Sequence, residues 1–358
     1  MKKSIKKSKV KMDTFSLMGK LHHTIPQIDF LKAFAIITVV FLHTFFDSFL
    51  LRIGSPYYLW HAIPIFIMIA GFTGAYAYKR YGSTTLKQCY DPLTIIRRYK
   101  RLLIPFFLCW IIEIIIVYNI STDRLDLVSF IPNFLTGGFG YGAYFIPVIL
   151  QSILIVPLLY LLALRNPERM VIIALILTII FDAIVFLIGW DTNQTSQIYF
   201  RYLFAGALGV WIVTSEKRNN IWLIIGGIIS LFYITVCCYT PVFSAFPDYY
   251  GYTGILQAPA FVWSLILVLF GLAYLPGNAS SGYYQYLGEI GKASWHIFLV
   301  QMLYFLAPAA YVYAFLLDPL SSGNVILQFG LGAICNIAIC VSLGYGWYYV
   351  ERKILQKS

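Results

Sequence analysis

With 358 residues, 60% of them hydrophobic and 11% charged, the chain carries roughly half the charge of an average soluble domain. That composition, with a mean hydropathy of +0.76, excludes a soluble globular protein. A β-barrel is excluded as well, because there is no sustained alternation of apolar and polar residues. The net charge of +11 is not a nucleic-acid signature: no RNA- or DNA-binding motif accompanies it, and the basic residues sort by membrane side.

The apolar residues fall in about ten runs of near-spanning length, parted by short polar or Pro/Gly-rich breaks. In chain order these predict helices over 28–50, 57–78, 102–120, 143–164, 170–190, 198–214, 221–240, 254–275, 292–316 and 325–349. The expected fold is all-α, a polytopic transmembrane helix bundle of about ten spans. It divides into a basic segment 1–27, a transmembrane domain 28–350 and a tail 351–358. If residue 1 is cytoplasmic, every one of the 26 Lys and Arg except Lys32, Arg52, Arg124 and Arg201 falls on the inner side. The positive-inside rule then puts both termini in the cytoplasm, and the run Lys2 to Lys11 against anionic lipid headgroups. No small-residue cleavage site follows the first apolar run, so a retained helix is expected there and not a signal peptide.

The six cysteines show no C-x-x-C spacing and lie mostly in apolar runs, so neither a disulfide framework nor a metal site is expected. Many Tyr and Trp fall at predicted span ends, as an interfacial belt requires. Phe246, Tyr249, Tyr250 and Tyr252 could also stack on sugar rings.

Ionisable side chains at membrane depth are costly and face a cavity or the bundle interior, which makes each a functional candidate. Lys32 and His43 are eleven positions apart, which at about 100° per residue returns to nearly one helix face and separates them by roughly 16 Å. Both can line one cavity. Asp47, at i+4 from His43, is expected to accept a ring N–H and raise the basicity of the imidazole, making His43 a general base. His61, beside Trp60, reads as interfacial.

Arg97, Arg98, Lys100 and Arg101 directly precede the apolar run from Leu102. Four cations there suit a topology anchor and, at a helix start with free backbone N–H groups, a phosphate site equally. Glu113, flanked by isoleucines, should be protonated or paired inside the bundle. Asp182 and Arg201 suit an ion pair between helices. The stretch Gly137-Gly138-Phe139-Gly140-Tyr141-Gly142 lacks the Lys-Ser/Thr of a P-loop and reads as a tight outer-side entry into the fourth helix that could shape an acceptor site.

Several ordered motifs together resemble the acyltransferase 3 family of polytopic membrane proteins over essentially the whole chain. Asp29 to Lys32 followed by Val40 to His43 is similar to the family's opening helix, with a basic residue, ten residues and a histidine. Pro64 to Phe72 looks like its "lFFvlSGF" segment, with Ala70 in place of the usual serine. Arg98 and Arg101 ahead of Pro105 match its R-x-x-R motif, and Ala143 to Pro147 resembles its "lWFl" entry. Leu287 to Gln301 looks like its "lgriSYslYLvH" segment, with Gln301 where the family often has histidine, and Trp347 to Arg352 resembles its terminal "Er" signature.

The resemblance implies transfer of an acyl group, commonly acetyl, from cytoplasmic acyl-CoA to a hydroxyl of an extracytoplasmic carbohydrate or lipid-linked glycan in a bacterial cytoplasmic membrane. It implies that Arg98 and Arg101, with Arg97 and Lys32, hold the CoA phosphates, and that His43 acts at the thioester, directly or as an acyl carrier. Glu351 falls in the terminal motif and Glu113 is singled out by its apolar flanks, which makes both supporting candidates. The chain ends seven residues after Glu351, so the esterase-like domain fused to some relatives is not expected. Competing readings are a transporter or flippase, against which no inverted halves or paired broken helices are evident, and an accessory subunit of a polysaccharide-export system.

Overall fold

The computed structural model describes residues 25–45, 47–120, 130–216, 220–240, 256–278, 282–307 and 325–355. Among them the regular elements are all helical. They are α1 (Pro26–Thr44), α2 (Asp47–Arg52), α3 (Ala62–Arg80), α4 (Leu86–Cys89), α5 (Pro92–Ile120), α6 (Phe130–Thr136), α7 (Phe145–Arg165), α8 (Pro167–Ile188), α9 (Thr192–Thr195), α10 (Leu203–Thr214), α11 (Asn220–Tyr239), α12 (Phe261–Tyr274), α13 (Gly282–Lys292), α14 (Ser294–Leu306) and α15 (Val325–Leu355). Among the described residues, seven helical segments are long and apolar enough to cross a membrane, and three shorter apolar helices lie at Tyr199–Thr214, Ala258–Tyr274 and Ser294–Leu306. The protein is therefore a multi-pass membrane protein.

Lipid is needed to explain its surface. Ile172, Ile176 and Ile180 of α8 and Trp222, Ile229 and Phe232 of α11 are exposed, an apolar belt that water would not tolerate. The interior is packed through small residues, as helices without a hydrophobic driving force between them require. A Cβ at Gly71 of α3 would collide with Gly206 O, and one at Gly209 with Met68 O, so α3 and α10 touch backbone to backbone. Lys79 Nζ donates to Val213 O at 2.9 Å at the end of the same pair.

Three boundaries differ from the sequence reading. α1 stops at Thr44, with Phe45 extended (φ −118°, ψ 154°), so 28–50 is not one helix. α5 begins at Pro92, not at 102, because Asp91 accepts from Thr94 N at 2.9 Å and caps it while proline supplies the first helical φ. Of the run expected at 292–316, Lys292 instead closes a separate helix, α13, and α14 starts at Ser294.

His61, expected at the interface, is enclosed by the protein itself. It is fully buried, its Nε2–H donating to Pro56 O at 2.8 Å and its Nδ1 accepting from Ser264 Oγ at 2.7 Å. Asp182 and Arg201 do face each other, Oδ1 to Nε 3.8 Å. The segment Lys2 to Lys11, Arg124 and the aromatic group Phe246 to Tyr252 lie outside the described residues.

Candidate active site

The last turn of α1 is tied down from two neighbouring helices. Thr44 Oγ1 donates to Val40 O at 2.9 Å and accepts from Asn336 Nδ2 of α15 at 3.1 Å, while Tyr304 of α14 donates to Asn336 Oδ1 at 2.6 Å. Where the chain leaves the helix, this network holds His43 at a fixed height. The imidazole is half-buried, with the Tyr141 ring 5.5 Å away and the Phe305 ring 5.9 Å away. Among the described residues it makes no hydrogen bond, so its ring nitrogens remain available to a ligand.

The expected His43–Asp47 geometry is not formed. The i+4 relationship needs a continuous helix, and the break at Phe45 puts Asp47 at the start of α2 as an exposed carboxylate.

Tyr141 reaches His43 from the glycine-rich turn, and Glu113 of α5 is what grips that turn. Its Oε2 accepts from Phe139 N at 3.0 Å and its Oε1 from Gly140 N at 3.2 Å. Fully buried, the Glu113 side chain is thus paired with backbone amides and not with a cation. Gly138 has φ 103°, and a Cβ there or on Gly140 would run into the Glu113 carboxyl, so the turn must be glycine for the clamp to close. From the opposite side Gln301 Nε2 donates to Tyr141 O at 2.9 Å. The glycine-rich stretch is therefore a scaffold for one wall of the His43 site.

The other end of α1 is polar in a different way. Lys32 Nζ pairs with Asp29 Oδ1 at 3.1 Å, and Lys292 of α13 pairs with Glu289 at 2.7 Å nearby. The hydrogen bond from Lys292 to Glu289 holds that ammonium above its usual range, with Asp29 adding to it. His296 of α14 donates through Nε2 to Glu351 Oε2 of α15 at 2.6 Å, between the rings of Trp347 and Tyr348. Glu351 thus sits within a helix that continues to Leu355 and is paired with His296.

Arg98 donates from Nη1 to Tyr78 Oη at 2.7 Å, with its guanidinium 4.9 Å above the same ring, while Arg97 and Arg101 are exposed. Because α5 starts at Pro92, these cations lie inside the helix, where backbone N–H groups are already used. The expected contribution of free helix-start N–H groups to a phosphate site is therefore absent there. Among the described residues no cluster of His, Cys, Asp or Glu could hold a metal ion.

The structure thus joins Glu113 to His43 through one turn, and gives Lys32, Arg98 and Glu351 the partners Asp29, Tyr78 and His296. Sequence reasoning missed those three partners and Asn336, and it pointed to Tyr141 only as part of the glycine-rich stretch, not as a neighbour of His43. The signal for His296 was present: a histidine near the start of the run expected at 292–316, while the run that follows it, 325–349, ends two residues before Glu351. Among the comparisons with known proteins, a family model described as an acyltransferase domain matches residues 25–345. No curated protein and no solved structure matches the chain.

Proposed function

Because the chain belongs to the acyltransferase 3 family, we propose that it transfers an acyl group, acetyl first among them, from cytoplasmic acyl-CoA to a hydroxyl of an extracytoplasmic or lipid-linked carbohydrate. The membrane is a bacterial cytoplasmic membrane, with both termini inside. What carries this reading is the two-ended layout of α1: Lys32 at one end, and His43, three turns on, beneath a ring that is 51% exposed on Tyr141.

In this reading Arg98 and Arg101, with Arg97 and Lys32, take the phosphates of the donor. Tyr78 supports the role of Arg98 by fixing its guanidinium. The pantetheine arm extends along α1 and brings the thioester to His43. There the imidazole takes the proton of the acceptor hydroxyl, the freed oxygen attacks the thioester carbonyl, and the C–S bond breaks. CoA leaves as the thiol, carrying the proton that His43 returns. Asp47 stands at the outer mouth, where its exposed carboxylate faces an arriving acceptor.

The test is CoA thiol release by the protein in lipid nanodiscs supplied with acetyl-CoA. Release by the wild type is expected, lost in His43→Ala with acetyl-CoA binding intact, and weakened in binding by the double change Arg98→Ala/Arg101→Ala. If the wild type binds neither acetyl-, succinyl- nor longer acyl-CoA, the reading fails. If both variants keep full turnover, the assigned residues are wrong.

A further inference from the structure

We infer that Glu113 is a positioning residue for acyl transfer: it holds the Gly138–Gly140 backbone so that Tyr141 forms the wall against which His43 works. The inference rests on the proposed acyltransferase reading and adds to it a residue that touches neither donor nor acceptor. Both Glu113 oxygens are spent on backbone amides, Phe139 N at 3.0 Å and Gly140 N at 3.2 Å. The turn it grips is one that only glycines allow, since a Cβ at Gly138 or Gly140 would meet the Glu113 carboxyl.

Two fixed points bracket Tyr141. The Glu113 bond precedes it at Gly140, and the Gln301 bond, 2.9 Å, falls on its own carbonyl. Between them the backbone is held, and the phenol lies across His43 and Phe305, ring centroids 5.5 and 6.4 Å away. Without the clamp, the positive-φ glycines around Tyr141 would let the turn relax, and the ring would leave the imidazole.

Glu113→Gln is nearly isosteric but replaces one acceptor oxygen with an N–H donor, which would oppose one of the two amides. Two readouts in nanodiscs decide the matter. The first is CoA thiol release, where kcat should fall roughly 10- to 100-fold while KM for acetyl-CoA stays within about twofold, since a misplaced wall harms chemistry and not donor binding. The second is chymotryptic cleavage at the Tyr141–Gly142 bond, quantified by mass spectrometry, which should rise several-fold as the turn opens.

Lowered kcat without added cleavage would overturn the proposal, because Glu113 would then act some other way. Added cleavage with unchanged kcat would overturn it too, because the position of the turn would not matter to transfer. If Glu113→Gln does not accumulate, Gln301→Met removes the other bond to the same turn, and both readouts should shift as above. If wild-type protein shows no thiol release with any acyl-CoA, the cleavage comparison still decides whether Glu113 holds the turn, and the failure belongs to the acyltransferase reading.

Discussion

Asn336 on α15 donates to the hydroxyl of Thr44, the last residue of α1, at 3.1 Å, across 292 positions of sequence. The same amide also accepts from Tyr304, so a single side chain links three helices at the point where the helix bearing His43 stops.

Asn336→Leu should leave Thr44 and Tyr304 without that partner. A loss of about 1 kcal/mol is expected, in line with interhelical hydrogen bonds in membranes, read as a lower thermal midpoint in nanodiscs. Thiol release should fall more than that loss of stability explains, because His43 is adjacent.

The break at Phe45 separates the roles of His43 and Asp47. His43→Ala should abolish thiol release, whereas Asp47→Asn should retain it to within about threefold, because an exposed carboxylate outside the helix is not the orienting partner of the imidazole. Equal loss in both, measured under the same acetyl-CoA saturation, would restore Asp47 to the catalytic unit.

Tyr78 is expected to act through Arg98. Tyr78→Phe removes the 2.7 Å bond but keeps the ring, and should raise KM for acyl-CoA severalfold, with kcat little changed. Arg98→Lys loses the fork and the stacking together, so its KM should rise further, and added salt should weaken the remaining contact.

The glycine contacts can be tested against an internal control. Gly209→Ala would force a methyl into Met68 O and should cost about 1–3 kcal/mol. Gly346→Ala, which meets nothing within 4 Å in α15, should be neutral or stabilise by up to about 1 kcal/mol. Thermal midpoints of the two variants in the same lipid decide it.

The apolar runs made the helical membrane architecture legible, since hydropathy reports length and lipid contact directly. The start of α5 was also written in the chain, as Asp91-Pro92, but the apolar run from Leu102 drew attention past it. The break after Thr44 was not legible: neither Gly nor Pro marks it, and the Asn336 bond made there comes from far away in sequence. Glu113 could be singled out because a carboxylate among isoleucines needs a partner. That the partner is a backbone turn 26 residues on, and not a cation, follows only from the tertiary fold. The cations at 97–101 were found by type, yet their relation to Tyr78 depends on how α3 and α5 meet.

The backbone contact between α3 and α10 also bears on biogenesis. Lys79 and Val213 are 134 positions apart, so α3 enters the bilayer long before the helix that covers its glycine face has been synthesised. Until then that face has only lipid beside it, and α5, α7 and α8 must be inserted around a seam still open. Closure of the seam is thus a late event in assembly, and a nascent chain arrested before Leu203 would present the cell's quality control with a bare small-residue stripe that the finished protein never exposes.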